Sequence, residues 1–157
     1  MVRCKSTTRF SSLKVPVILT QTDTTVGFLS QNAHKLYSIK SRSTTKPFIK
    51  VYINFKNFLH QGNRVPISQK NLIRRSKKTT FIVKNRAFRV APYILDSQVL
   101  RDLTWNYSTS ANRTKESFSR EFCESKADII VENVDGLSQK ESSTLIKVDK
   151  LKRIKIR

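Results

Sequence analysis

The chain has 157 residues, 38% of them apolar and 9% aromatic, with only three Gly, four Pro and two Cys. It is long enough to bury a real hydrophobic core, and it is not a linker, a collagen, a low-complexity tail or a disulfide-built scaffold. Thirty-one Lys and Arg against eleven Asp and Glu give a formal charge of +20, and residues 1–95 hold nineteen of the bases with a single acid, Asp23, for a local +18. Such a field attracts polyanions (nucleic acid, nucleotides or anionic surfaces), unless it serves only to keep the protein soluble.

Residues 1–14 are polar, basic and without periodicity, which predicts an N-terminal arm or a poorly defined first strand, followed by a single domain over 15–157. An acid-free Arg/Ser-rich start is also similar to an organelle transit peptide, but this one is short and leads directly into a strand. The longest mostly apolar run, Val15–Leu19, is far below a membrane span, so no membrane partner is expected. Cys4 and Cys123 read as reduced thiols of a cytoplasmic protein.

Val15–Thr20 reads as a buried strand, and Gln21–Thr25 with Gly27 as the loop after it. Asn32 is placed to cap a helix running to Lys40, with the stripe Ala33, Leu36, Tyr37 and Lys40 at i, i+3, i+4 and i+7. The last member of that stripe is a lysine. On an inward face it either snorkels out or faces an anion. Alternation of Ile49, Val51, Ile53 and Phe55 predicts a strand over Pro47–Phe55, followed by a short helix over 56–61. Residues 62–78 form a basic segment ending in Arg74-Arg75-Ser76-Lys77-Lys78. Thr80–Lys84 and Ala87–Val90 read as strands, and Asp96 as the cap of a helix to about Leu103. Trp105–Thr109 reads as a strand running into Ser110-Ala111-Asn112, and 114–125 as a helix carrying Phe118 and Phe122. Asp128–Val131, Thr144–Val148 and Leu151–Ile156 read as three more strands. The alternation of strands and helices predicts an α/β sheet, part of it antiparallel or mixed. Trp105, Phe118, Phe122 and Cys123 are expected in the core, and His34 and His60 on the surface.

The chain lacks a Walker-type G-x-x-x-x-G-K-S/T loop, a G-x-G-x-x-G loop, a nucleophile elbow and zinc-type Cys/His spacing, so no protein-held metal is expected. What remains is cationic and hydroxyl-rich: Lys40 and Arg42 after a helix, Ser108–Asn112 at the end of one strand, and Thr22-Asp23-Thr24-Thr25 at the end of another. Fixed cations beside small hydroxyls and a carboxamide suit a polyphosphate. The same residues also suit plainer roles, as helix-end charges and turn formers.

Taken in order, these segments resemble the YrdC-like family, the threonylcarbamoyl-adenylate synthases. The family's Pro-Thr-Asp-Thr-x-Tyr-Gly-Leu is similar to Gln21–Phe28. Its Lys-x-Arg and Lys-Pro-Leu are similar to Lys40-Ser41-Arg42 and Lys46-Pro47-Phe48, and its Thr-Leu-Ile-Leu strand to Thr80–Val83. The Arg-x-Pro element resembles Arg89-Val90, with proline arriving late at Pro92. Ser-Thr-Ser-Ala-Asn is intact as Ser108–Asn112, and a late Pro-Ser-Thr-Ile is similar to Ser142–Leu145. The chain departs from the pattern at Gln21, at Val26, at Arg74–Lys78 where Trp-Pro-Gly is expected, and at Thr114-Lys115 where Ser-Gly is expected.

The resemblance implies a compact YrdC-like α/β fold: a twisted mixed sheet flanked by helices, with an open cleft at one face. It implies a nucleotidyltransferase that joins L-threonine, bicarbonate and ATP into threonylcarbamoyl-AMP and pyrophosphate, for modification of tRNA to threonylcarbamoyladenosine. Lys40, Arg42, Ser110 and Asn112 would be the catalytic set. ATP would be held by Lys40, Arg42, Ser108, Ser110, Asn112 and Ser143, and threonine by Thr22, Thr24 and Arg89. Mg2+ would ride mainly on ATP, with Asp23 the one acid nearby. Downstream threonylcarbamoyl transferase proteins would take the product, and tRNA is a candidate partner on the basic face. Two other readings stand beside this one. The first is a non-catalytic RNA-binding module on the same scaffold. The second is a carbamoyl-transfer relative of the hydrogenase-maturation domain.

Overall fold

The computed structural model describes residues 2–4 by their backbone, and residues 15–91, 100, 102–114 and 116–157. The predicted Asp96 cap, Pro92 and Lys115 lie outside the described residues. The chain divides into two compact units built from interleaved stretches: residues 1–48 with 106–141, and residues 49–105 with 142–157.

The first unit is a mixed sheet in the order β1 (Val2–Cys4), β8 (Ile129–Val131), β2 (Ile18–Gln21), β3 (Val26–Ser30), β7 (Trp105–Ser110). Only the β2–β8 pair is parallel. Helices α1 (Ala33–Lys40) and α4 (Arg120–Lys126) belong to this unit. Its core gathers Val17, Leu19, Val26, Phe28, Leu36, Phe48, Cys123 and Ile130, with Phe118 and Phe122 partly buried against it.

Two predicted elements change here. Gly27 is not in a loop: Val26–Ser30 is a fully buried strand that pairs back on β2, so Thr22–Thr25 is a hairpin turn. The helix predicted over 114–125 begins only at Arg120, because the Ser119 side chain accepts from Phe122 N–H and caps it there. The Asn32 cap of α1 is as expected, its Oδ1 accepting from the N–H groups of His34 and Lys35.

Gly27 is required by a close approach. A Cβ there would lie 3.0 Å from the Thr109 carbonyl oxygen and 3.2 Å from Thr22 Cγ2. Gly27→Ala must therefore push β3 away from β7, the strand that carries Ser108 and Ser110. The expected cost is about 1–3 kcal/mol, read as a lowered urea midpoint at unchanged m-value; an unchanged midpoint would show that the strands can give.

The second unit orders its strands β4 (Ile49–Tyr52), β6 (Arg86–Val90), β5 (Thr79–Val83), β9 (Thr144–Val148), β10 (Arg153–Lys155). The β4–β6 and β5–β9 pairs are parallel, and the others antiparallel. Its core is aromatic: Tyr52, Phe55, Phe58, Phe81 and Phe88, with Ile73 and Val83, and with Trp105 packed against it. Phe58 and Phe88 stack at 4.4 Å.

The strand predicted over Pro47–Phe55 stops at Tyr52. The Asn54 side chain accepts from Asn57 N–H and starts helix α2 (Phe55–His60), so Phe55 faces the core from a helix. The basic segment 62–78 contains a 3-10 turn (Ile67–Gln69) and helix α3 (Lys70–Arg75), anchored by buried Ile73. The last strand is shorter than expected, and its residues are all exposed. Strands β5 and β6 are joined through Lys84 and Asn85, both with positive φ, the twist that a two-residue hairpin demands. His34 and His60 are exposed, and Cys123 is fully buried.

Candidate functional site

Helix α1 ends abruptly. Ser41 takes a left-handed conformation (φ 44°), and its N–H bonds the carbonyls of Ser38 and Tyr37. A non-glycine residue in that region costs of order 1 kcal/mol. The turn leaves Lys40 on the buried side of the helix and sends the next residue, Arg42, back over the surface. The Arg42 guanidinium lies 5.3 Å from the Phe48 ring centroid, a cation–π contact that orients it.

Strand β7 ends at Ser110, and the chain turns through Ala111, whose side chain is buried. The Lys40 ammonium reaches into this turn. Its Nζ donates to the Ser110 carbonyl at 3.2 Å, to Asn112 Oδ1 at 2.9 Å, and to the Asn112 carbonyl. An ammonium has three N–H donors, so all three are engaged. Asn112 is fixed from its other sides as well: Ser110 Oγ donates to its Oδ1 at 2.6 Å, and its Nδ2 donates to the Glu116 carbonyl at 2.5 Å. Thr114 Oγ1 donates to the Lys40 carbonyl at 2.7 Å.

Lys40 is only 6% exposed, and its pKa is lowered from the usual lysine value. Burial is the main cause. Cys123 acts against it, and the like charge of Arg42 adds to it. The Cys123 thiol, also buried, is pushed up.

Around this cage opens a groove of about 330 Å³, lined by Lys40, Arg42, Lys46, Thr109, Ser110, Asn112 and Thr114. Among the described residues no carboxylate lines it, so three cations, three hydroxyls and a carboxamide share one concavity within the first unit. The predicted set Lys40, Arg42, Ser110 and Asn112 comes together here. Ser108 lies on the same strand, opposite Leu29 in the β3–β7 register. Lys46, Thr109 and Thr114 were not singled out as site residues. Lys46 is an exposed loop residue with no periodic pattern to mark it, and Thr109 and Thr114 read as ordinary strand and turn residues.

Thr22 and Thr24 sit in the β2–β3 turn. Thr22 Oγ1 donates to the Thr25 carbonyl at 2.7 Å, accepts from the N–H groups of Thr24 and Thr25, and lies 3.2 Å from Thr24 Oγ1. These hydroxyls hold the turn in shape.

The other two predicted residues, Arg89 and Ser143, belong to the second unit and meet there. Arg89, 7% exposed, donates from Nε and Nη2 to Thr80 Oγ1 at 3.3 and 3.1 Å, and Thr80 Oγ1 lies 2.9 Å from Ser143 Oγ. Thr80 is fully buried and Ser143 is 3% exposed, so this is an internal polar chain that joins β5, β6 and the start of β9. Among the described residues no three His, Cys, Asp or Glu side chains cluster as metal ligands, and no helix is long and apolar enough to cross a membrane.

This mixed α/β architecture is the YrdC-like fold. The chain superposes on P. abyssi Sua5, whose structure is complexed with L-threonine, with a TM-score of 0.71 at 14% identity, over 90% of this chain and 50% of that one. The MTH1692 protein from Methanobacterium thermoautotrophicum matches with a TM-score of 0.59 at 18% identity, over 94% of this chain and 87% of that one. Full-length HypF in its phosphate- and nucleotide-bound form matches with a TM-score of 0.65 at 15% identity, over 90% of this chain and 22% of that one. The chain thus spans about half the length of Sua5. No family model and no curated protein matches it in sequence.

Proposed function

We propose that the chain is an L-threonylcarbamoyl-AMP synthase: a nucleotidyltransferase that takes L-threonine, bicarbonate and ATP and releases pyrophosphate. The observation that carries this reading is the cationic groove, in which Lys40, Arg42 and Lys46 share one concavity with Ser110 and Asn112, on a fold shared with a threonine-bound protein and a nucleotide-bound one.

Bicarbonate and the threonine amine give a carbamate with loss of water. A carbamate oxygen then attacks the α-phosphorus, the new O–P bond forms, and the bond to the bridging oxygen breaks, which leaves as pyrophosphate. The nucleophile is already anionic, so the protein needs no nucleophile of its own. It must hold two anions together and spread the developing charge.

That work would be divided among the residues of the groove. Arg42 and Lys46 present cations to the groove, and Ser110 and Thr109 present hydroxyls. Lys40, with its donors engaged by the turn, contributes charge from behind and acts as a positioning residue for Ser110 and Asn112. Thr22, Thr24 and Arg89 are proposed as threonine-binding residues, and Ser108 and Ser143 as further nucleotide contacts. The described residues offer no metal cage. They fit a magnesium ion that arrives on the triphosphate, where it would neutralise the leaving group.

The test is release of pyrophosphate from ATP by the purified chain. The reading expects release that requires both threonine and bicarbonate. Release with bicarbonate but indifferent to threonine would point to carbamoyl chemistry instead. No release at all from a folded protein would leave a binding module.

A further inference from the structure

Strand β10 ends the strand order of the second unit, and among the described residues no strand pairs with its outer edge. Its inner edge runs antiparallel to β9, with Arg153 opposite Val148, Ile154 opposite Lys147 and Lys155 opposite Ile146. Two hydrogen bonds fix which backbone groups are left open. Asp149 N–H donates to the Lys152 carbonyl at 3.1 Å, and Ile156 N–H donates to the Leu145 carbonyl at 2.8 Å. Residues 152, 154 and 156 therefore turn their backbone groups toward β9, and by the alternation of an antiparallel ladder Arg153 and Lys155 turn theirs outward.

The hairpin is held in this shape from several sides. Asp149 Oδ1 accepts from the N–H groups of Leu151 and Lys152 at 2.8 and 2.7 Å. Ser68 Oγ donates to the Lys150 carbonyl at 3.0 Å, and Arg153 Nε donates to Oε1 of the buried Gln69 at 2.7 Å. An edge already fixed as a strand loses little further chain entropy when something pairs with it. Its side chains are sorted by face. Arg153 and Lys155 lie on one face, Ile154 and Ile156 on the other, and both isoleucines are 54% exposed. Residues 147–157 hold six Lys and Arg against one acid. That acid is Asp149, the residue tied into the turn.

We infer that the outer edge of β10 is a docking site for an extended acidic segment of another protein, added as one further strand. Its acids would lie beside Arg153 and Lys155, and its apolar residues beside Ile154 and Ile156. Main-chain bonds to residues 153 and 155 would supply affinity, and the two faces would select the sequence. Cations on an edge strand also guard against pairing with a like edge, and a second copy of a +20 chain is repelled here. A guard needs no apolar face, and exposed isoleucines at alternate positions work against one. A nucleic acid would draw on the cations but leave the outward carbonyls and the isoleucines unmatched. The docking goes beyond the proposed adenylate chemistry and holds whether or not that chemistry runs.

The experiment titrates the whole chain into a fluorescein-labelled peptide of alternating Glu and Val and follows anisotropy. Lys155→Pro removes an outward N–H without touching a bond to β9. It should weaken binding at least about 10-fold beyond Lys155→Gln, which removes the charge alone. Methylating the peptide's amides puts the same question without altering the protein. A peptide methylated on one alternate set of amides should bind at least about 10-fold more weakly than one methylated on the other set, since only one set faces β10. Equal affinity of the two methylated peptides would overturn the inference, as would Lys155→Pro binding no more weakly than Lys155→Gln. So would equal affinity for a peptide with its Glu and Val in separate blocks, or binding that vanishes between roughly 50 and 300 mM salt, the mark of charge alone. A dimer seen by sedimentation of the chain alone and lost in Lys155→Pro would overturn it in favour of a second copy.

Discussion

Arg42→Ala is expected to lower threonine-dependent pyrophosphate release by about 10²–10³-fold, the usual cost of removing one preorganised charge from a transition state, while the thermal midpoint barely moves. The structure gives the reason for the split. Arg42 is half-buried and rests against the Phe48 ring, so its removal costs the fold of order 1 kcal/mol or less.

Lys40→Met should behave differently. It removes the group that holds three oxygen acceptors of the 110–112 turn, so activity and stability should fall together, the latter by about 2–4 kcal/mol. Comparing turnover with urea midpoints in the two variants separates a residue that faces substrate from one that positions its neighbours. Turnover within a few-fold of the parent in folded Arg42→Ala would remove that residue from the site.

The buried ammonium also sets a pH signature. Because the folded-state pKa of Lys40 lies below its unfolded value, the unfolded chain binds more protons between the two. Its burial penalty is therefore fully present below the lowered folded-state value and is relieved as pH rises through that window. Turnover runs the other way. It should fall on the alkaline side as the ammonium discharges and its hold on the turn weakens, and that limb should disappear from the residual activity of Lys40→Met.

The second large effect is expected in the other unit. Thr80→Val keeps the shape of a fully buried side chain but deletes the oxygen that accepts from Arg89 and meets Ser143. A buried guanidinium stripped of one acceptor should destabilise the protein by about 2–4 kcal/mol. Denaturant unfolding followed by Trp105 fluorescence measures this, since that ring packs on the same core. A loss under about 0.5 kcal/mol would mean that other partners of Arg89 carry the burden.

Much of the site could be read from residue order. The Asn32 cap and the spacing of Leu36 and Lys40 fix both the helix and the inward direction of that lysine. The intact Ser108–Asn112 stretch fixes the strand end that receives it. The role of the lysine was not legible: a spacing rule places an ammonium on a face, but only coordinates show that carbonyls already occupy its three hydrogens. Strand β3 was hidden because Gly27 and the polar residues before it look like a loop, and it is a strand because β2 and β7 pair with it on both sides. Helix α3 was hidden by its charges, since Ile73 alone is fully buried there. The two-unit division was also out of reach, because each unit is assembled from stretches distant in sequence.

The Lys40–Asn112 contact spans 72 positions of chain. Until the polypeptide has been made past that point, the turn has nothing to rest on and the helix end nothing to grip. The Lys40 ammonium, with Thr114 Oγ1 on the Lys40 carbonyl, then ties the two together. Anything that settles on the turn should be felt at the helix terminus, and slower hydrogen exchange at the Ser41 amide would report occupancy without any direct contact.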